Sequence, residues 1–175
     1  WSTVIQRYFD RLKRVVDGYA AAPFVLDVQI SFELRPGNQG YVAGMVLFQD
    51  RSTLHFREYL DNAASHVSKL MYSYHYQDGD QQLIFRYDNA LHRPMLPFLE
   101  HKHVGESIAE SQTPALADVL TELVLVRGWV EPILIEPIST NEAETKHWRK
   151  AFHPAATFSK RTVTTTQRTY HHNHT

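Results

Sequence analysis

YSYHYQDGDQQLIFRYDNALHRPMLPFLEHKHV, residues 72–104, is the stretch that decides the fold. Alternating aromatic and apolar residues on either side of Asp78-Gly79 predict two antiparallel strands joined by a turn. The second strand ends in Arg86-Tyr87-Asp88-Asn89, and the stretch closes on His101-Lys102-His103 after a proline-containing bend. Many of the side chains suited to acid–base chemistry lie here, so we expect any polar functional site at the end of this hairpin.

Upstream segments continue the same alternation. Turn sequences such as Pro36-Gly37-Asn38 separate them, and short connections of this kind favour antiparallel neighbours. The five predicted strands cover residues 24–34, 41–48, 53–60, 67–76 and 82–88. Together they predict an antiparallel five-stranded meander.

Apolar residues at helical spacing predict two helices that cover one face of this sheet. The first spans residues 2–19, with Ser2 or Thr3 as its N-cap. The second begins at Thr113-Pro114, an N-cap followed by proline at the first helical position, and ends at Arg127-Gly128. The predicted fold class is therefore α+β: an antiparallel five-stranded meander covered by two helices, with a C-terminal extension.

The C-terminal extension, residues 129–175, is predicted to follow a single α+β domain of residues 1–128. Prolines restrict residues 129–138 to an edge strand, and residues 141–152 are predicted to form a short helix. The threonine-rich run at 162–169 either pairs as a strand or stays disordered.

Charge is unevenly distributed along the chain, although the net charge is only −1. No Asp or Glu occurs after residue 144, and six of the 18 Lys and Arg residues do, so residues 1–144 carry 12 basic against 19 acidic residues. An acidic body with a basic extension suits binding to nucleic acid or to an acidic partner, and equally fits a solvated tail.

Several function classes are disfavoured by what the sequence lacks. There is no cysteine, which removes disulfides and thiolate chemistry and fits a cytoplasmic protein. No apolar run approaches 18 residues, so no membrane contact is expected. The glycine-rich phosphate loop, the G-x-S-x-G motif and the H-E-x-x-H motif are also absent, which argues against nucleotide triphosphatases, nucleophile-elbow hydrolases and zincins.

Three histidines are the main candidates for chemistry. His101 and His103 share one face if their segment is a strand, and the bend before them can return His92 to the same place. With Asp88 they could bind a divalent metal. Alternatively they act without metal, one histidine taking a proton from a hydroxyl and another giving one to a leaving oxygen, as RNA cleavage by its own 2′-hydroxyl requires. Each histidine could also be purely structural.

Basic and aromatic side chains near these histidines are candidates for binding a phosphate backbone. They are Arg57, Arg86, Lys102 and Tyr59. Tyrosines on the strand at 67–76 could stack bases, or they could form a half-buried sheet face.

An ordered set of short motifs resembles the TumE-like family of prokaryotic toxins from toxin–antitoxin systems, over residues 20 to 125. The motifs are Thr53-Leu54-His55-Phe56-Arg57-Glu58-Tyr59, Tyr74-His75-Tyr76-Gln77-Asp78, Phe85-Arg86-Tyr87-Asp88-Asn89, His92 and His101-Lys102-His103-Val104-Gly105. Family members often have histidine at the positions of Arg93 and Glu100, and these departures argue against a metal site. No cofactor is expected.

The resemblance implies a cytoplasmic toxin that a cognate antitoxin protein neutralises. With RNA as the target, we predict a small metal-independent ribonuclease. His92, His101, His103, Asp88 and Tyr87 are the predicted catalytic residues, and Arg57, Arg86, Lys102 and Tyr59 bind the nucleic acid. The alternatives are a module that binds nucleic acid or protein without cleaving it, and a metal-dependent nuclease; a homo-oligomer is compatible with each.

Overall fold

The computed structural model describes residues 3–62, 66–129 and 163–169. Two helices, α1 (Val4–Ala20) and α2 (Leu116–Arg127), accompany one sheet. Its strands are β1 (Val25–Arg35), β2 (Gln39–Phe48), β3 (Thr53–Asp61), β4 (Ser68–Gln77), β5 (Leu83–Asp88), β6 (His101–Val104), β7 (Ser107–Glu110) and β8 (Val163–Thr169). Within the described residues the strand order is β7-β6-β5-β4-β3-β2-β1-β8.

The α+β class is confirmed, but the predicted five-stranded meander is too small. The five predicted strands correspond to β1–β5, and β6 and β7 continue the antiparallel meander beyond them. Each of these two strands has only four residues, which is too short to show a clear alternation of apolar and polar residues. Their conformation therefore follows from pairing with a neighbouring strand.

The threonine-rich run pairs as β8, the parallel neighbour of β1. The edge strand predicted at 129–138, beyond Trp129, and the helix at 141–152 lie outside the described residues. The division of the chain at residue 128 stays a prediction.

Local sequence explains where the helices begin and end. The side chain of Thr3 caps α1 by accepting a hydrogen bond from the Gln6 N–H at 3.1 Å. Of the two predicted N-cap residues, the structure therefore has Thr3 in this role. Helix α2 begins two residues later than predicted, because the residue at the N-cap is Ala115, whose N–H donates to Asp118 Oδ2 at 3.0 Å. It ends as predicted at Gly128, which adopts the left-handed conformation with φ of 64°.

Alternation along the strands gives the sheet two different faces. On β3, Leu54, Phe56 and Leu60 are buried, whereas His55 and Arg57 are exposed. We call the first side the helix face, because α1 and α2 pack there, and the second the open face. No helix of the described residues covers the open face. Neither described helix has the length and hydrophobicity that crossing a bilayer requires.

Candidate functional site

The pairing of β5 with β6 places four polar side chains on the open face. Asp88 lies opposite His101, and Arg86 lies opposite His103. The connection between the two strands folds back over this end of the sheet and brings His92 against His101. We call Asp88, His92, His101 and His103 the histidine–aspartate cluster.

The cluster is compact. His101 Nε2 lies 3.0 Å from Asp88 Oδ1 and 3.0 Å from His92 Nε2. His103 Nε2 lies 3.6 Å from Asp88 Oδ2, and the four potential ligand atoms all lie within 4.8 Å of one another. The predicted convergence of the three histidines with Asp88 is thus a feature of the fold.

Hydrogen bonds fix the orientation of the two innermost residues. His101 is 0% exposed, and its Nδ1–H donates to the Leu99 carbonyl oxygen at 2.7 Å, which directs Nε2 into the cluster. Asp88 Oδ1 also accepts from the Ala90 N–H at 3.0 Å. His92 is half-buried, so among the histidines of the cluster it has the most contact with solvent.

Arg86 places a positive charge beside the cluster and forms hydrogen bonds to two of its members. Its Nε donates to Asp88 Oδ2 at 2.5 Å, and its Nη2 donates to His103 Nε2 at 3.0 Å. Burial acts to raise the pKa of Asp88, but the Ala90 N–H and the Arg86 guanidinium outweigh it and hold the pKa below its ordinary value. Burial and Arg86 both lower the pKa of His103 and outweigh the opposing effect of Asp88, so the neutral imidazole is favoured.

Two predicted site residues lie on the other side of the sheet. Tyr87 and Lys102 alternate with the cluster residues along β5 and β6, and they therefore point to the helix face. Tyr87 Oη donates to Glu122 Oε2 of α2 at 2.6 Å, and the Lys102 ammonium contacts the other carboxylate oxygen of the same residue. Burial acts to lower the pKa of Lys102, and Glu122 overcomes this and raises it.

The remaining predicted residues, Arg57 and Tyr59, lie on the open face away from the cluster. A cleft of about 350 Å³ extends from them to Arg86 and Asp88. Arg35 adds a second cation there, with its guanidinium carbon 5.5 Å from the centre of the Tyr59 ring. A basic and aromatic surface therefore leads to the histidine–aspartate cluster.

The tyrosine side chains of β4 are buried and are not exposed on that surface. Tyr72, Tyr74 and Tyr76 are 3%, 0% and 0% exposed, so they are not free to stack bases, and they are more deeply buried than the half-buried face that was the predicted alternative. Tyr74 Oη donates to Glu58 Oε1 at 2.5 Å, and the Lys69 ammonium lies 3.3 Å from the same oxygen.

Glu58 is a residue whose importance the sequence reasoning missed. It is 0% exposed, and it also accepts from Tyr8 Oη at 2.6 Å, which joins β3 to α1. The available signal was a carboxylate at an inward-facing position of an alternating strand, since such a group must find buried donors.

Comparison with known proteins assigns the family. A family model described as toxin TumE matches residues 12–130, which is more than half of the chain. No curated protein and no solved structure matches the sequence. The match confirms the resemblance that the motifs around Arg57, Asp88 and His101 indicate. The chain belongs to the TumE family of toxins.

Proposed function

We propose that this toxin acts on RNA and cleaves it at the histidine–aspartate cluster. The observation that carries the proposal is the convergence of three imidazoles and a carboxylate within 4.8 Å, with a guanidinium beside them. Membership in a toxin family implies an antitoxin partner, and we propose that both act in the cytoplasm. The open face is the surface that this antitoxin would have to cover or distort in order to neutralise the toxin.

The proposed reaction uses the hydroxyl of RNA itself. The 2′-oxygen attacks the adjacent phosphorus as it loses its proton to a base, and the bond from phosphorus to the 5′-oxygen breaks as that oxygen gains a proton from an acid. The products are a 2′,3′-cyclic phosphate and a 5′-hydroxyl, so no water, metal or cofactor is consumed. Two imidazoles and one cation supply every group that this step needs.

Tautomers suggest which histidine takes which role. His103 Nε2 accepts a hydrogen bond from Arg86, so it holds a lone pair that becomes available when the guanidinium turns to a phosphate. His103 is therefore the proposed base, and Arg86 is the proposed cation that stabilises the charge developing on phosphorus. His92, the more accessible imidazole, is the proposed acid.

His101 and Asp88 are positioning residues in this proposal. Both are more deeply buried than His103, at 0% and 3% exposure against 8%, so the proposal gives neither of them a direct contact with substrate. His101 Nε2 contacts His92 Nε2 at 3.0 Å, so it fixes the orientation of the His92 ring. Tyr87 and Lys102 take no direct part, because they lie on the helix face.

The alternative is a module that binds RNA without cleaving it. Exposed Arg57 and half-buried Tyr59 favour it, because both suit a single-stranded backbone and neither belongs to the cluster. Under this alternative the cluster only holds the β5–β6 end of the sheet together.

Incubation of purified protein with labelled single-stranded RNA separates the two. We expect the natural chain to release fragments ending in cyclic phosphate, and His92→Gln and His103→Gln to reduce the rate by about 100-fold or more, the range typical for general acid–base groups. His55→Gln is the matched control, because His55 is an exposed histidine on the same face outside the cluster.

Equal cleavage by all three variants would rule out the cluster as the catalytic centre. Binding without product in the natural chain would leave the binding module as the better description. Growth arrest on induced expression, lost in a folded His92→Gln variant, would connect the chemistry to toxicity.

A further inference from the structure

We propose that the histidine–aspartate cluster is a binding site for one divalent transition-metal ion of the zinc class. This inference concerns the same residues as the proposed function. It does not depend on RNA cleavage, because metal binding is measured without substrate.

The spacing of the donor atoms supports the site. A tetrahedral ion with ligands at about 2.0–2.1 Å holds those ligands about 3.3 Å apart. The contacts from His101 to Asp88 and His92 are 3.0 Å each, and that from His103 to Asp88 is 3.6 Å. These three separations lie on either side of the tetrahedral value, whereas the four ligand atoms as a set spread over as much as 4.8 Å. Seating an ion therefore requires the wider pairs to close by up to about 1.5 Å, through rotation of the side chains.

The donor types select the class of ion. Three imidazole nitrogens with one carboxylate oxygen suit zinc, cobalt, nickel or copper, whereas magnesium and calcium prefer oxygen ligands. Since the chain has no cysteine, no thiolate competes for the ion.

Hydrogen bonds around the cluster match those expected of metal ligands. A ligating histidine usually donates its other ring N–H to a carbonyl or carboxylate, which fixes the tautomer. His101 does this with the Leu99 carbonyl oxygen at 2.7 Å. Asp88 is held in turn by the Ala90 N–H at 3.0 Å.

The contacts of His101 Nε2 also suit an ion better than a proton. This nitrogen lies 3.0 Å from both Asp88 Oδ1 and His92 Nε2, and it can carry only one hydrogen for the two contacts. An ion at this position would use the lone pairs of all three atoms at once. Arg86 must then release His103, and its side chain, 32% exposed, can turn to solvent.

Metal binding would also regulate the proposed chemistry. The ion would occupy the lone pair of His103 and bind His92, so the base and the acid would both lose their function. Zinc is therefore expected to inhibit RNA cleavage.

The test is a titration of the purified full chain with CoCl2, followed by visible absorption and repeated with ZnCl2 in competition. Every protein in it carries His171→Ala, His172→Ala and His174→Ala, so that the histidine-rich terminus does not add sites. We expect one ion per chain with the absorption of tetrahedral cobalt. In His92→Gln and Asp88→Asn the affinity should fall by more than the roughly 10–100-fold that losing an outer-shell partner costs.

Two further variants sharpen the result. His75→Gln, a change of a half-buried histidine on the open face outside the cluster, should leave the affinity unchanged. Arg86→Gln should increase it, because that change removes a positive charge and a competing donor to His103 while it abolishes the proposed cleavage.

Absence of saturable binding at one ion per chain, or equal weakening by His75→Gln and His92→Gln, would overturn the metal site. Binding that follows the expected pattern without any RNA cleavage would uphold the site and overturn the proposed function. Cleavage that requires the ion would uphold the site and overturn the proton-transfer roles of His92 and His103.

Discussion

Replacing Arg57 by glutamine should weaken the salt dependence of RNA binding without disturbing the fold. Arg57 is exposed on the open face, where β3 pairs it with Ser73 of β4, and it forms no ion pair with the described residues. Arg86 differs, because Asp88 neutralises much of its charge. Arg35 pairs in turn with Glu33 at 3.1 Å, so the charge of Arg57 is more available to a phosphate than that of Arg35 or Arg86.

The magnitude follows from counterion release. Each phosphate contact to single-stranded nucleic acid contributes about 0.7 to the slope of log affinity against log salt. Between about 50 and 200 mM salt, the natural chain should lose about 2.5-fold more affinity than Arg57→Gln does. At low salt the variant should bind more weakly, and the two should approach each other as salt rises.

Fluorescence anisotropy with a labelled, 2′-O-methylated single-stranded oligonucleotide measures this without cleavage. Arg14→Gln is the matched control, because Arg14 is an exposed arginine on α1, away from the open face. An unchanged slope in Arg57→Gln together with a reduced slope in Arg14→Gln would refute the reasoning and place the nucleic acid on the helical side of the protein.

Three other predictions concern the two faces. Lys102→Met should leave RNA cleavage nearly unchanged, whereas Arg86→Met should abolish cleavage in the same fragment assay. Lys102→Met should also alter the free energy of unfolding by no more than about 1 kcal/mol, because the ion pair of Lys102 with Glu122 is partly exposed. Glu58→Gln should lower the free energy of unfolding by about 3–5 kcal/mol in urea denaturation, since it leaves Lys69, whose side chain is only 12% exposed, without its carboxylate. A loss below about 1 kcal/mol would contradict this. Burial and Glu58 raise the pKa of Tyr8, so above about pH 10 the unfolded chain releases a proton that the folded chain keeps, and stability should fall as pH rises. Tyr8→Phe should reduce that slope by about 1.4 kcal/mol per pH unit, and an identical slope in both proteins would show that the Tyr8 contact is weak.

Period-two alternation was enough to predict most of the sheet and the face that His101 and His103 share. It placed Leu54 and Phe56 inward and Arg57 outward, and it indicated that His101 and His103 would share a face if their segment were a strand. The same reasoning would have removed Lys102 from the predicted site. The segment was not assigned as a strand because it has only four residues, three of them polar, and its conformation comes from pairing with β5.

Other features depend on contacts that no local pattern encodes. The return of His92 to His101 requires the path of the connection between β5 and β6, and sequence spacing only permits it. Glu122 organises Tyr87 and Lys102 from a helix that is distant in sequence. The parallel pairing of β8 with β1 joins segments more than a hundred residues apart in the sequence. The threonine content of β8 does not by itself predict which strand it pairs with.

The motifs of the TumE family therefore combine residues with two different duties. Asp88 and the histidines form a cluster on the open face, whereas Glu58 and Lys102 attach the other face of the sheet to Tyr8 of α1 and Glu122 of α2. A loss of toxicity on replacing Glu58 thus identifies no catalytic residue unless the stability of the variant is measured as well. Arg57→Gln changes no buried contact, so its effect on binding reports on the open face alone.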